Sequence, residues 1–108
     1  MNPEPILDLA HLAHIELLTP KLEESRDFFI NVMGMYETEQ VGNSVYLRGW
    51  DDYEHHSLQL TASSKPALGH YAFRAMSLQA LQRRATVVEK SGLGKGWKDD
   101  NVGHGPAY

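Results

Sequence analysis

The chain has 108 residues, enough for one domain that buries a core and too few for two ordinary ones. Hydrophobic content of 42% with 22% charged residues excludes a disordered chain, and a net charge of −4 without a long basic run points away from nucleic acid and anionic membranes. The absence of cysteine excludes a disulfide scaffold and a thiolate metal site, and fits a reducing cytosol. The start, Met1-Asn2-Pro3-Glu4-Pro5, lacks the basic and apolar regions of a signal peptide, and no apolar run approaches the roughly 20 residues of a membrane span. The expectation is a soluble, cytoplasmic domain.

Residues 1–10, with two prolines and two acids before Leu9, read as an arm. From Leu12 to Leu18 the side chains should alternate, with Ala13, Ile15 and Leu17 on one face and Leu12, His14, Glu16 and Leu18 on the other. Thr19 is a good N-cap and Pro20 suits the first helical position, where its missing N–H would be unpaired anyway. The next helix should bury Leu22, Phe29, Val32 and Met33 and stop at Gly34. Its acids Glu23, Glu24 and Asp27 read as a solvated face that favours the helix dipole.

Three short strands are predicted next. Met35 to Val41 turns at Gly42-Asn43 into Val45 to Trp50, and His56 to Thr61 alternates like a half-buried strand after a turn begun by Asp51-Asp52. Ala62 to Pro66 is a polar linker. Leu68 to Ala75 is another strand. Ser77 can cap a helix with Leu78, Leu81, Ala85 and Val88 at helical spacing, ended by Gly92. The pair Arg83-Arg84 on this helix reads as part of a solvated face. Gly94 to Trp97 reads as a glycine-broken strand, and Asp99-Asp100-Asn101 as a turn.

The chain thus uses one plan twice. His14 placed on His70 sets an offset of 56 residues, which also places Leu22 on Leu78 and Val32 on Val88. Residues 11–64 form a first β-α-β-β-β module, and residues 65–108 a second that is incomplete, lacking its last strands. The fold class is α+β.

Tandem βαβββ modules resemble the vicinal oxygen chelate superfamily of glyoxalases, bleomycin-resistance proteins and extradiol dioxygenases. Several segments are similar to the N-terminal domain of a catechol 2,3-dioxygenase: His11-Leu12-Ala13-His14-Ile15-Glu16-Leu17, Tyr46-Leu47-Arg48-Gly49-Trp50, His55-His56-Ser57-Leu58-Gln59-Leu60-Thr61 and Leu68-Gly69-His70. Gly94-Lys95-Gly96-Trp97 and Gly103-His104-Gly105-Pro106-Ala107-Tyr108 continue the likeness to the end of the chain. The resemblance implies a two-domain parent enzyme that inserts both atoms of O2 beside the hydroxyls of a catechol and opens the ring. It implies Fe(II), occasionally Mn(II), held by two His and one Glu in the C-terminal domain. This chain would then be the other domain, with no catalytic, cofactor or metal residues of its own, inactive alone. Its partners would be the catalytic domain and further copies in a homo-oligomer. Alternatives are a single-domain glyoxalase or small dioxygenase whose site a dimer completes, and a bleomycin-resistance-like binding protein; the missing strands disfavour both.

Among candidate ligands, His14 and His70 occupy matching places on the first strands of the two modules, where related catalytic domains carry their two His ligands. No carboxylate from a last strand accompanies them, and Glu16, two residues from His14, offers only a substitute geometry. Both are read as structural, with hydrogen-bonded rings. His55 and His56 should point to opposite strand faces and so fail to grip one ion. His11 and His104 are isolated. The glycines from Gly92 to Gly96 come after a helix, so they do not make a phosphate loop, and Ser25, Ser57 and Ser77 lack a nucleophile-elbow context. Trp50, Tyr53 and Trp97, near turns or strand ends, read as interface surface.

Overall fold

The computed structural model describes residues 7–98 and 105–108. Among these described residues five strands form one sheet: β1 (Leu9–Thr19), β2 (Tyr36–Val41), β3 (Ser44–Arg48), β4 (Leu58–Ala62) and β5 (Ala67–Ala75), in the order β2-β3-β4-β1-β5. Two α-helices accompany them, α1 (Leu22–Asp27) and α2 (Leu78–Ser91), with a π-helical turn at Phe28–Val32. By contacts the chain separates into two compact units, Ala13–Ala72 and the chain on either side of it.

Within Ala13–Ala72 the register explains the core. Parallel pairing of β1 with β4 sets Ile15 beside Leu58 and Leu17 beside Leu60, and antiparallel pairing of β3 with β4 sets Val45 beside Leu60 and Leu47 beside Leu58. Strand alternation then gathers all six on one face. Leu22, Phe29, Ile30 and Met35 pack over that face, and Val45, Leu47, Leu58 and Leu60 are buried beneath them. The opposite face receives the interleaved residues Glu16, Ser44, Tyr46, Gln59 and Thr61, which is why a polar cluster can form there.

The helix after β1 departs from expectation. Thr19 still pairs with Ala62 as the last residue of β1, so its backbone belongs to the strand and α1 starts at Leu22, not at Pro20. The Thr19 hydroxyl nevertheless accepts the amide of Lys21 at 3.1 Å and meets Ser25 Oγ at 2.9 Å. The π turn, closed by Met33 N–H to Phe28 C=O at 3.0 Å, adds a residue to the turn and rotates the side chains at its end. Ile30 therefore packs on the core, while Val32 (68% exposed) and Met33 face out. Gly34, at φ +80°, supplies the left-handed residue after it.

Three further expectations change. β4 begins at Leu58, which leaves His55 and His56 ahead of the strand. Gly94 to Trp97 forms no strand; among the described residues near it, Lys98 and Ala107 make an antiparallel bridge, with the Trp97 and Tyr108 rings 5.2 Å apart. The turn expected at Asp99-Asp100-Asn101 lies outside the described residues, as does His104.

In the unit outside Ala13–Ala72, the predicted helix cap is present: Ser77 Oγ accepts the Ala80 amide at 3.0 Å, and Gly92 ends α2 at φ +80°. Arg83 and Arg84 lie on the exposed face expected of them, yet both are tied to a partner. Arg83 holds Asp8 through Nη2 at 2.7 Å and Nε at 3.2 Å, and Arg84 Nε reaches the same carboxylate at 2.8 Å. Asp8 is buried, and its backbone carbonyl accepts Met76 N–H at 2.8 Å. Residue 8 is therefore a tether, not part of a loose arm. The Arg83 hydrogen bond holds the Asp8 carboxyl below its usual range, against a smaller opposing effect of burial. A group so depressed contributes stability that is present above roughly pH 4 and lost as pH falls further. Asp8→Ala should lower the thermal midpoint by several degrees at pH 7, and the gap to the wild type should narrow below pH 4. A gap of the same size at both pH values would refute the ion-pair account.

Candidate functional site

The polar face of the Ala13–Ala72 sheet carries a chain of hydrogen bonds centred on Glu16. Its Oε1 accepts from His70 Nδ1 at 2.9 Å, and its Oε2 accepts from Thr61 Oγ1 at 2.6 Å and Gln59 Nε2 at 2.9 Å. The Ser44 hydroxyl lies 2.7 Å from Thr61 Oγ1. Because Thr61 gives its hydrogen to the carboxylate, Ser44 is the donor in that pair. Register accounts for the gathering, since β1 aligns Glu16 with Gln59 and β3 aligns Ser44 with Thr61.

His70 continues the chain. Its Nε2 stands 2.8 Å from His14 Nε2, although 56 residues separate them. His14 is buried and its ring meets the ring of His56 at 4.5 Å. His56 in turn lies 4.6 Å from Tyr46 and shares a 2.9 Å Nδ1–Nδ1 contact with His55. The expectation that His55 and His56 point apart is corrected here: both precede β4, so strand alternation does not govern them. His55 Nε2 is 4.0 Å from Glu39. His11 lies on β1, outside Ala13–Ala72.

Two groups show what this setting does to charge. Burial would raise the Glu16 carboxyl, but the hydrogen bonds from Thr61 and His70, with the nearby imidazoles, outweigh it and hold the carboxyl below its usual value. Burial pushes the Tyr46 phenol up, and the carboxylates of Glu16 and Glu39 push the same way. The site therefore holds an ionised carboxylate and a neutral phenol at neutral pH.

Gly69 has a steric role in this arrangement. A Cβ there would run into the Glu16 carboxylate, so glycine leaves the space through which Glu16 reaches His70.

Sequence reasoning singled out His14, His70 and Glu16, and the structure brings all three together. It gave no role to Gln59, Thr61 or Ser44, whose signal was their alternation on β3 and β4 opposite the apolar core. The donor set does not fit a metal held by two His and one carboxylate. Both Glu16 oxygens are engaged by donors, and Oε1 sits on the far nitrogen of His70 rather than beside its Nε2. Among the described residues, no three His, Asp or Glu side chains are placed to hold a metal ion together.

Residues 11–97 match the Glyoxalase/Bleomycin resistance protein/Dioxygenase superfamily. The chain belongs to this superfamily. The α+β sheet fold agrees with that membership, and the relatives are extradiol dioxygenases. A metapyrocatechase of Geobacillus stearothermophilus is 56% identical over 105 residues, covering 97% of this chain and 32% of the relative. A manganese-dependent 2,3-dihydroxybiphenyl 1,2-dioxygenase of Geobacillus genomosp. 3 is 33% identical over 90 residues, covering 83% of this chain and 29% of the relative. The solved homoprotocatechuate 2,3-dioxygenase of Brevibacterium fuscum superposes with a TM-score of 0.80 at 27% identity, over 92% of this chain and 28% of that one. The chain thus spans about a third of the length of the relatives it matches. Among the described residues, no helix is long and apolar enough to cross a membrane.

Proposed function

We infer that this chain is the N-terminal, non-metal-binding domain of an extradiol ring-cleaving dioxygenase that acts on a catechol. Its modules are residues 11–64 and 65–108, and its work is to support the catalytic domain and a cytoplasmic homo-oligomer. The observation that carries this reading is the 56% identity to a metapyrocatechase along nearly the whole chain, matched to only a third of that enzyme. The engagement of both Glu16 oxygens and both His70 nitrogens supports assigning the Fe(II) or Mn(II) to the other domain. Exposed Trp50 and Tyr53 are suited to an interface with that domain or with another subunit.

The test is a chimera in which this chain replaces the matched third of the Geobacillus stearothermophilus metapyrocatechase. The chimera should consume O2 with catechol, whereas the 108-residue chain supplied with Fe(II) or Mn(II) should not. Oxygen consumption by the chain alone would sink the reading, as would an inert chimera beside an active parent.

A further inference from the structure

The facing nitrogens of His14 and His70 suit a proton better than a metal ion. A carboxylate has no hydrogen to give, so the Glu16 contact fixes a proton on His70 Nδ1. His70 Nε2 is then left 2.8 Å from His14 Nε2, a separation that one hydrogen between them satisfies. With no hydrogen two lone pairs would face each other, and with two hydrogens N–H would meet N–H. We propose that Glu16, His70 and His14 form a proton-held clamp between β1 and β5, closed by one shared proton and opened by a second, so that the Ala13–Ala72 fold loosens in mildly acidic solution.

The surroundings set the direction. Glu16 on β1 keeps its negative charge through this range and stabilises one added proton on the imidazole pair. On β4, Gln59 and Thr61 do not titrate, and on β3 Tyr46 stays neutral. The other imidazoles near the pair are His56, whose ring meets that of His14 at 4.5 Å, and His55 beside it, with Glu39 on β2 4.0 Å from His55. The open end of the chain is His70, whose side chain is 42% exposed and so accessible to solvent protons.

In the unfolded chain both imidazoles titrate near pH 6.5 and take up two protons below about pH 6. The closed clamp takes up one. The unfolded state then binds one more proton, so stability falls as pH falls, by about tenfold in the folding equilibrium constant per pH unit.

The experiment is urea unfolding of the 108-residue chain and its His70→Gln variant from pH 8 to pH 5, with ring 15N NMR of the wild type over the same range. The wild type should lose about tenfold per unit below pH 6, and H70Q should lose about one proton less. Should H70Q fail to fold, the ring signals carry the test: His14 and His70 should titrate as a coupled pair with one proton withheld at pH 5. Parallel pH dependences in the two proteins would overturn the proposal, as would independent titration of the two rings near the free-imidazole value. So would one equivalent of Zn2+ at pH 7.5 moving both sets of ring signals together, because the facing nitrogens would then be ligands.

Discussion

Leu47→Ala should destabilise the protein by about 3 kcal/mol, which for a chain of this size lowers the thermal midpoint by roughly 15 °C. Leu47 is fully buried, paired with Leu58 across β3 and β4, and covered by the α1 side of the sheet. Among the described residues the buried cluster is Val45, Leu47, Leu58 and Leu60, so a cavity at its centre removes contacts from each of the others. The control is Val32→Ala. Sequence periodicity assigns Val32 to the buried helix face, but the π turn rotates it into solvent, and its truncation should change stability by less than about 0.5 kcal/mol. Thermal or urea unfolding of the two variants separates these positions. If V32A cost as much as L47A, the rotation would be wrong.

The contrast between those two residues shows what was legible beforehand and what was not. The α+β class, the strands and the Ser77 cap arise from patterns with short reach: alternation, glycine turns, and a hydroxyl before an apolar helix. The faces of β1 were equally legible, which is why Ala13 and Ile15 could be assigned to one side and His14 and Glu16 to the other. The π turn was not, because it keeps helical composition while changing the residues per turn. The pairing of Arg83 and Arg84 with Asp8 was hidden for a different reason: Asp8 lies 75 residues from Arg83, and nothing local to the exposed helix face announces it. The 2.8 Å approach of His14 to His70 depends in the same way on β5 lying beside β1, a fact of topology. The repeat placed the two histidines at matching positions, and only the sheet order made them neighbours.

Glu16→Ala should cost about 3 kcal/mol, and Gly69→Ala should cost a comparable amount for the same reason. Glu16 is largely buried and accepts three hydrogen bonds as an ionised carboxylate, so its truncation leaves Thr61, Gln59 and His70 without their acceptor. Because its carboxyl is held below the usual range, this contribution is present above roughly pH 4.3 and is lost as pH falls through the depressed folded value. Gly69 lies in β5 without positive φ, so alanine there should be tolerated by the backbone and would ordinarily be neutral or mildly stabilising. Its cost comes from the carboxylate that the new Cβ displaces. A double-mutant cycle isolates that coupling, since the two positions share one space. In the Glu16→Ala background the space is empty, and adding Gly69→Ala should cost nothing further. An equal Gly69→Ala penalty in both backgrounds would mean that the glycine serves the strand itself and not the Glu16–His70 contact.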